Sequence, residues 1–134
     1  MASENVELVR SIYADWERGD FSSAEWAHPE IEYEHADGMA EGSWKGIAGM
    51  AEGFREYVDA WEEYRVEVDE FRELDDERVL VTFHRSGRGR TSGLKLEQMR
   101  SEGTSIFHVR DGKVTRLIFY IDRERAFADL GLKE

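Results

Sequence analysis

The 134 residues are enough for one domain with one sizeable core and too few to make two ordinary domains. With no cysteine, structural disulfides, thiolate catalysis and cysteine-ligated zinc or iron are excluded. A formal net charge of −12 opposes generic binding to nucleic acid or anionic membranes, because phosphate contacts need clustered Lys and Arg. That charge is divided unevenly. Residues 1–77 hold 23 acids against 6 basic groups, net −17, whereas residues 78–134 hold 7 against 12, net +5, so the halves attract each other within one subunit or across a dimer. The stretch Met1 to Glu7 carries two acids and no basic residue, unlike a secretory signal, and no apolar run approaches the roughly 18 residues of a membrane span. A cytoplasmic protein is expected.

From about Ser3 to Arg18, Val6, Val9, Tyr13 and Trp16 recur at three- and four-residue spacing, with Leu8 and Ile12 widening the same arc, which predicts an amphipathic helix ended by Gly19-Asp20. Ser22 with Glu25 three residues on reads as a capping box for a short second helix, and Pro29, the only proline, closes that turn. Ile31 to His35 alternate strictly. In a strand, Ile31, Tyr33 and His35 share the inner face, and Glu32 and Glu34 the other. Asp37 to Gly46 reads as a loop with Trp44 near its end. Ile47, Met50, Phe54, Tyr57 and Trp61 then give the strongest helical signal in the chain.

Three strand-like stretches follow, roughly Tyr64 to Leu74, Arg78 to Gly87 and Leu94 to Arg110, separated by Asp75-Asp76 and the glycine-rich run Ser86 to Gly93; they predict an antiparallel meander. Val66 and Val68 share one parity and Phe71 the other, as a β-bulge with local bending would require. Asp111-Gly112, between two apolar runs, predicts a type I′ hairpin turn. Asp122 is placed to cap a terminal helix through Phe127 and Leu130, stopped by Gly131. Helices clustered ahead of an antiparallel sheet indicate α+β.

Arg85, Arg88, Arg90, Lys95 and Arg100 face one acid, Glu97, which raises an anion site; the competing reading is arginines on a solvent-facing sheet paired with the acidic half. The four histidines show neither a helical His-x-x-x-His nor a carboxylate triad, so no metal is expected. Gly87-Arg88-Gly89-Arg90 lacks the strand-to-helix context of a phosphate loop, and no nucleotide or other cofactor is expected.

Val9-Arg10-Ser11-Ile12-Tyr13 leading to Arg18-Gly19-Asp20, His28-Pro29-Glu30-Ile31-Glu32-Tyr33, and Gly42-Ser43-Trp44-Lys45-Gly46-Ile47-Ala48-Gly49 are three of a series of ordered landmarks. The series continues with Gly87-Arg88-Gly89-Arg90, Ser92-Gly93, Phe107 to Val114, Tyr120-Ile121-Asp122 and Leu130-Gly131-Leu132. With them the chain resembles the SnoaL-like polyketide cyclase branch of the nuclear transport factor 2-like superfamily, as one such domain over residues 1–134. The resemblance implies a cone-shaped, curved, mixed but mainly antiparallel sheet wrapped around a long helix, with an apolar small-molecule pocket and usually a homodimer. It implies a fold and not a reaction.

Matched to ketosteroid isomerase relatives, the base and the two enolate-stabilising positions fall at or near His35, Ile12 and Ser105, all of different type from the residues used there; the handling of pKa values in that enzyme is a general model for such sites. Tyr13, beside Ile12, is the available replacement donor. Matched to limonene epoxide hydrolase relatives, the proton-transferring aspartate position is Phe119, which is apolar. Neither of those two patterns is intact. His35 stays as a group suited to proton transfer near neutral pH, the competing reading being a strand-end histidine bonded to Glu34 or Asp37. His84 is the second catalytic candidate, with either face of its strand open as the inner one. Tyr13, Trp16, Tyr33, Trp44, Phe54, Tyr57, Trp61, Phe107 and Phe119 are candidates to line a pocket for an apolar or aromatic molecule, with Ser105 beside them, or to be ordinary core. If the protein is an enzyme, it is expected to be a cofactor-independent isomerase, cyclase or lyase. The alternative is a module of the same fold that binds a small ligand or a partner without turnover.

Overall fold

The computed structural model describes residues 4–18, 20, 25–36, 42–59, 61–89 and 102–131; the side chains of residues 57, 58, 61–64, 88 and 89 lie outside the description. Helix α1 (Glu4–Glu17) is followed by strands β1 (Ala27–His35) and β2 (Gly42–Lys45), helix α2 (Gly46–Asp59), the strands β3 (Trp61–Glu73), β4 (Arg78–Gly89), β5 (Glu102–Arg110) and β6 (Lys113–Tyr120), and helix α3 (Arg123–Leu130). The strands form one sheet in the order β2-β1-β6-β5-β4-β3. All neighbours are antiparallel except β1 and β6, which run parallel, as a mixed sheet was expected to do.

The predicted periodicities decide which faces are covered. Val6, Val9, Ile12, Tyr13 and Trp16 are the buried stripe of α1. They pack with Ile31, Tyr33, Val79, Val81, Phe83, Phe107, Leu117 and Phe119 from one face of the sheet. The opposite face carries Leu80, Ile106, Ile118 and Tyr120 against Ala126 and Phe127 of α3. Helix α2 touches both β1 and β3, which lie near opposite edges of the sheet, so the sheet must curl around it.

The bulge in β3 falls where the parity change predicts it. Val68 pairs with Phe83 and Glu70 with Thr82, so Asp69 is the extra residue. At the hairpin between β5 and β6, Asp111 and Gly112 have φ of 52° and 76°, the left-handed pair that a type I′ turn needs. Asp122 accepts from the Glu124 and Arg125 N–H groups, and Gly131 ends α3 at φ 70°.

Several expectations are corrected. Pro29 lies inside β1 and does not close a turn: the β1–β6 register shifts between Ala27 and Glu32, and a residue without N–H fits such an interruption of the ladder. Trp44 sits on β2, with Tyr33 as its register partner, and not in a loop. Trp61 opens β3 opposite Gly89 and does not extend α2; strand pairing overrides the helical spacing. The glycine-rich run does not begin as a separator, since β4 continues to Gly89. The capping box at Ser22, the tip of the expected loop at Asp37 to Glu41, and Arg90 to Arg100 lie outside the described residues.

Candidate functional site

Strand alternation places Ile31, Tyr33 and His35 on the face covered by α1 and α2, and His35 is 2% exposed. On that face Tyr33 Oη and His35 Nε2 lie 2.5 Å apart. Either the tyrosine O–H donates to a bare Nε2, leaving the ring proton on Nδ1, or Nε2–H donates to the phenolic oxygen and Nδ1 is bare. The rings meet edge to face with centroids 4.9 Å apart. Register supplies the surroundings: His35 pairs with Phe119 of β6, and Tyr33 pairs with Trp44 of β2. The Trp44 and Phe119 ring centroids are 5.2 and 5.4 Å from that of His35. Trp44 in turn lies over Gly53 of α2, where an added Cβ would fall 2.5 Å from the indole, so a glycine there lets the helix approach this closely.

A second polar pair sits deeper on the same face. Tyr13 of α1 donates its O–H to Ser105 Oγ at 3.0 Å, both side chains buried. Ser105 pairs across the sheet with Phe119, the residue that pairs on its other side with His35. The two hydroxyl-bearing pairs therefore flank Phe119, about two strand spacings or ~10 Å apart. Trp16, Phe54 and Phe107 fill the space beside them: Phe54 lies 5.2 Å from Trp16 and 6.0 Å from Tyr33, and Phe107 lies 5.8 Å from Tyr13. Tyr57 and Trp61 have side chains outside the described residues.

His84 is not brought to this cluster. Its neighbours Phe83 and Arg85 turn toward α1 and α2, and its own half-exposed ring bonds through Nδ1 to Asp69, the bulged residue, at 2.7 Å. Arg123 ties the same carboxylate to Glu102, at 3.3 and 3.1 Å. Of the two acids expected beside His35, Glu34 points to the other face and pairs with Arg116 at 3.2 Å, and Asp37 lies outside the described residues; Tyr33 is a partner of the ring that neither expectation included.

Arg85 is the residue that sequence reasoning misplaced. Far from a solvent-facing position, it is 4% exposed on the α1/α2 face, with its guanidinium carbon 5.9 Å from the centroid of Phe119. The signal was present in the alternation Val81, Phe83, Arg85, once Phe83 is known to face inward. A cavity of about 500 Å³ opens beside it, and among the described residues its walls are Glu17, Arg65, Val66, Glu67, His84, Arg85 and Ser86. Of the aromatic residues named as pocket candidates, Tyr13, Trp16, Tyr33, Trp44, Phe54, Phe107 and Phe119 lie in or against the core cluster of the α1/α2 face.

A curved mixed sheet holding two helices on one face and a third on the other is the nuclear transport factor 2-like α+β fold, and solved structures of this class match nearly the whole chain. An NTF2-like protein of unknown function from Burkholderia pseudomallei is 21% identical, with a TM-score of 0.77 over 95% of this chain and 97% of that one. TerC, crystallised with polyporic acid, is 27% identical, with a TM-score of 0.74 over 96% of this chain and 98% of its own. A protein assigned as a polyketide cyclase from Xanthomonas campestris pv. campestris is 22% identical, with a TM-score of 0.68 over 93% and 95%. The SnoaL-like domain family matches residues 9–117, and the chain belongs to that family. No curated protein matches the sequence.

Proposed function

We propose that this SnoaL-like protein is a cofactor-independent acid–base catalyst acting on a small carbonyl compound, as an isomerase, cyclase or dehydratase, with His35 moving the proton. The observation that carries the reading is the Tyr33–His35 bond in an aromatic enclosure. A histidine whose Nε2 bonds a phenol has its tautomer tied to that bond, and an imidazole so held is suited to take a proton from carbon next to a carbonyl. Tyr33 positions the ring, and the Tyr13–Ser105 pair is the nearby group able to hold a carbonyl or hydroxyl oxygen. Helix α1 carries one member of that pair, so the two halves of the site depend on how the helix sits on the sheet. The co-crystallised molecule of TerC supports a small organic ligand for the fold, and the polyketide cyclase relatives support carbonyl chemistry.

The test uses 2-tetralone in deuterium oxide, whose protons beside the carbonyl are exchangeable and followed by NMR. Exchange should exceed that in buffer by at least about 10²-fold, the usual scale of general-base assistance. H35A should abolish the excess while circular dichroism stays native. Equal exchange by the native protein and H35A sinks the catalytic role.

The cavity beside Arg85, whose described walls do not include His35, favours a second reading, a small-ligand module without turnover. That reading predicts thermal stabilisation by a ligand that is recovered unchanged.

A further inference from the structure

We propose that His84, oriented by Asp69, is the general base of a second site, one that hydrolyses small neutral esters at the open cavity; it stands independently of the role given to His35. Four residues on the described wall of the 500 Å³ cavity form a block on β3 and β4: Arg65 pairs in register with Ser86, and Glu67 with His84. Alternation puts them on the face opposite the buried Val66, Phe83 and Arg85. There the Nδ1 of His84 lies 2.7 Å from the Asp69 carboxylate, which Arg123 holds in place at 3.3 Å while reaching Glu102 at 3.1 Å.

An ionised carboxylate can only accept, so Nδ1 carries the ring proton and a neutral His84 is bare at Nε2. The phenol of Tyr33 makes no such assignment for His35, because a hydroxyl both donates and accepts. Among the described residues nothing bonds Nε2 of His84, and a side chain 52% exposed gives water access to that base. The Arg65 guanidinium, which has no ion pair among the described residues, and the Ser86 hydroxyl stand one register pair along the strands, ~7 Å away, as donors for a carbonyl oxygen. Nε2 takes a proton from water as the water oxygen bonds to the ester carbonyl carbon, and the carbonyl electron pair moves onto the oxygen held by these donors. The pair returns as the C–O bond to the alcohol breaks, and the imidazolium gives its proton to the departing alkoxide, leaving acid, alcohol and the original base. The net charge of −12 disfavours anionic esters and favours release of the carboxylate product.

The probe is ethyl dichloroacetate, whose alcohol leaves too poorly for direct displacement by imidazole, with acid release followed by pH-stat for the full chain and for H84Q, D69N and H28Q. Native protein should exceed imidazole at equal concentration by at least about 10²-fold, the low end of general acid–base assistance. H84Q should fall to the imidazole level, whereas H28Q, which removes a histidine outside the described wall, should keep the native rate. D69N should lower kcat about 10-fold or more with KM unchanged, a split that partial loss of folding does not produce. Native protein no faster than imidazole, or H84Q as fast as native protein, overturns the proposal. If H84Q does not fold, D69N decides: a lowered kcat supports the oriented base, and an unchanged kcat overturns it.

Discussion

The Tyr33 hydroxyl and the His35 Nε2 bond to each other where both side chains are buried, and each is only 2% exposed. Y33F removes one partner of that bond from a dry environment, so we expect a loss of about 1–3 kcal/mol, measured by urea unfolding. His108, on the α3 face, offers a second residue-level test. Burial lowers its pKa first, and Arg116 and Arg78, its register partners on either side, lower it further; Asp75 and Glu77 act weakly in the opposite direction. The folded state therefore binds fewer protons there than the unfolded chain. This contribution to stability is complete above the ordinary histidine value of about 6.5 and is lost as pH falls below it toward the lowered folded value. H108Q should shrink the fall in unfolding midpoint between pH 7 and pH 5.5; an identical fall in both proteins refutes it. Counting in twos from Ile31 was enough to bury His35. Its phenolic partner was not legible, because two side chains on one strand face bond only when their rotamers converge, and the rings packed around the pair, Trp44 from the next strand and Phe119 from the last, are placed by strand pairing.

Elements whose signals are local were readable from the chain alone. The Asp111-Gly112 turn, the caps of α3 and the bulge at Asp69 each depend on a few adjacent residues and appear where those residues put them. D122A should cost about 1 kcal/mol of stability by leaving two N–H groups of α3 without their acceptor. G53A tests the contact between α2 and β2. Alanine favours a helix over glycine by about 1 kcal/mol, but its methyl would enter the Trp44 indole, so the expected result is net destabilisation with altered Trp44 packing. Elements whose identity depends on partners were misread. Trp61 continues a helical spacing, yet its backbone has a ladder position opposite Gly89. Trp44 sits in a four-residue strand too short to show a period, and it exists because β1 offers an edge. Arg85 belongs here as well, since charge suggested water and only the strand's parity put it inside.

For the whole molecule, curvature is what makes the α1/α2 face a container: α2 touches strands near both edges, and the aromatic side chains of that face meet beneath it. The opposed charges of residues 1–77 and 78–134 lead us to expect a homodimer in which the two halves face each other across the interface. Sedimentation at low salt should give twice the monomer mass, with dissociation as salt screens the attraction; a monomer at every ionic strength refutes it. The α+β class followed from element order, but the parallel junction between β1 and β6 did not, since nothing near either strand encodes a partner so remote.

That junction sets an order of events. His35 lies on the earliest strand, and the ring packed against it, Phe119, comes from the latest one. While a ribosome is extending the chain, β3, β4 and β5 are able to zip to one another in sequence, but β1 waits beside a vacant edge until β6 emerges. The aromatic enclosure consequently cannot close until β6 has been made, and a contact of such long range is among the slower ones to form.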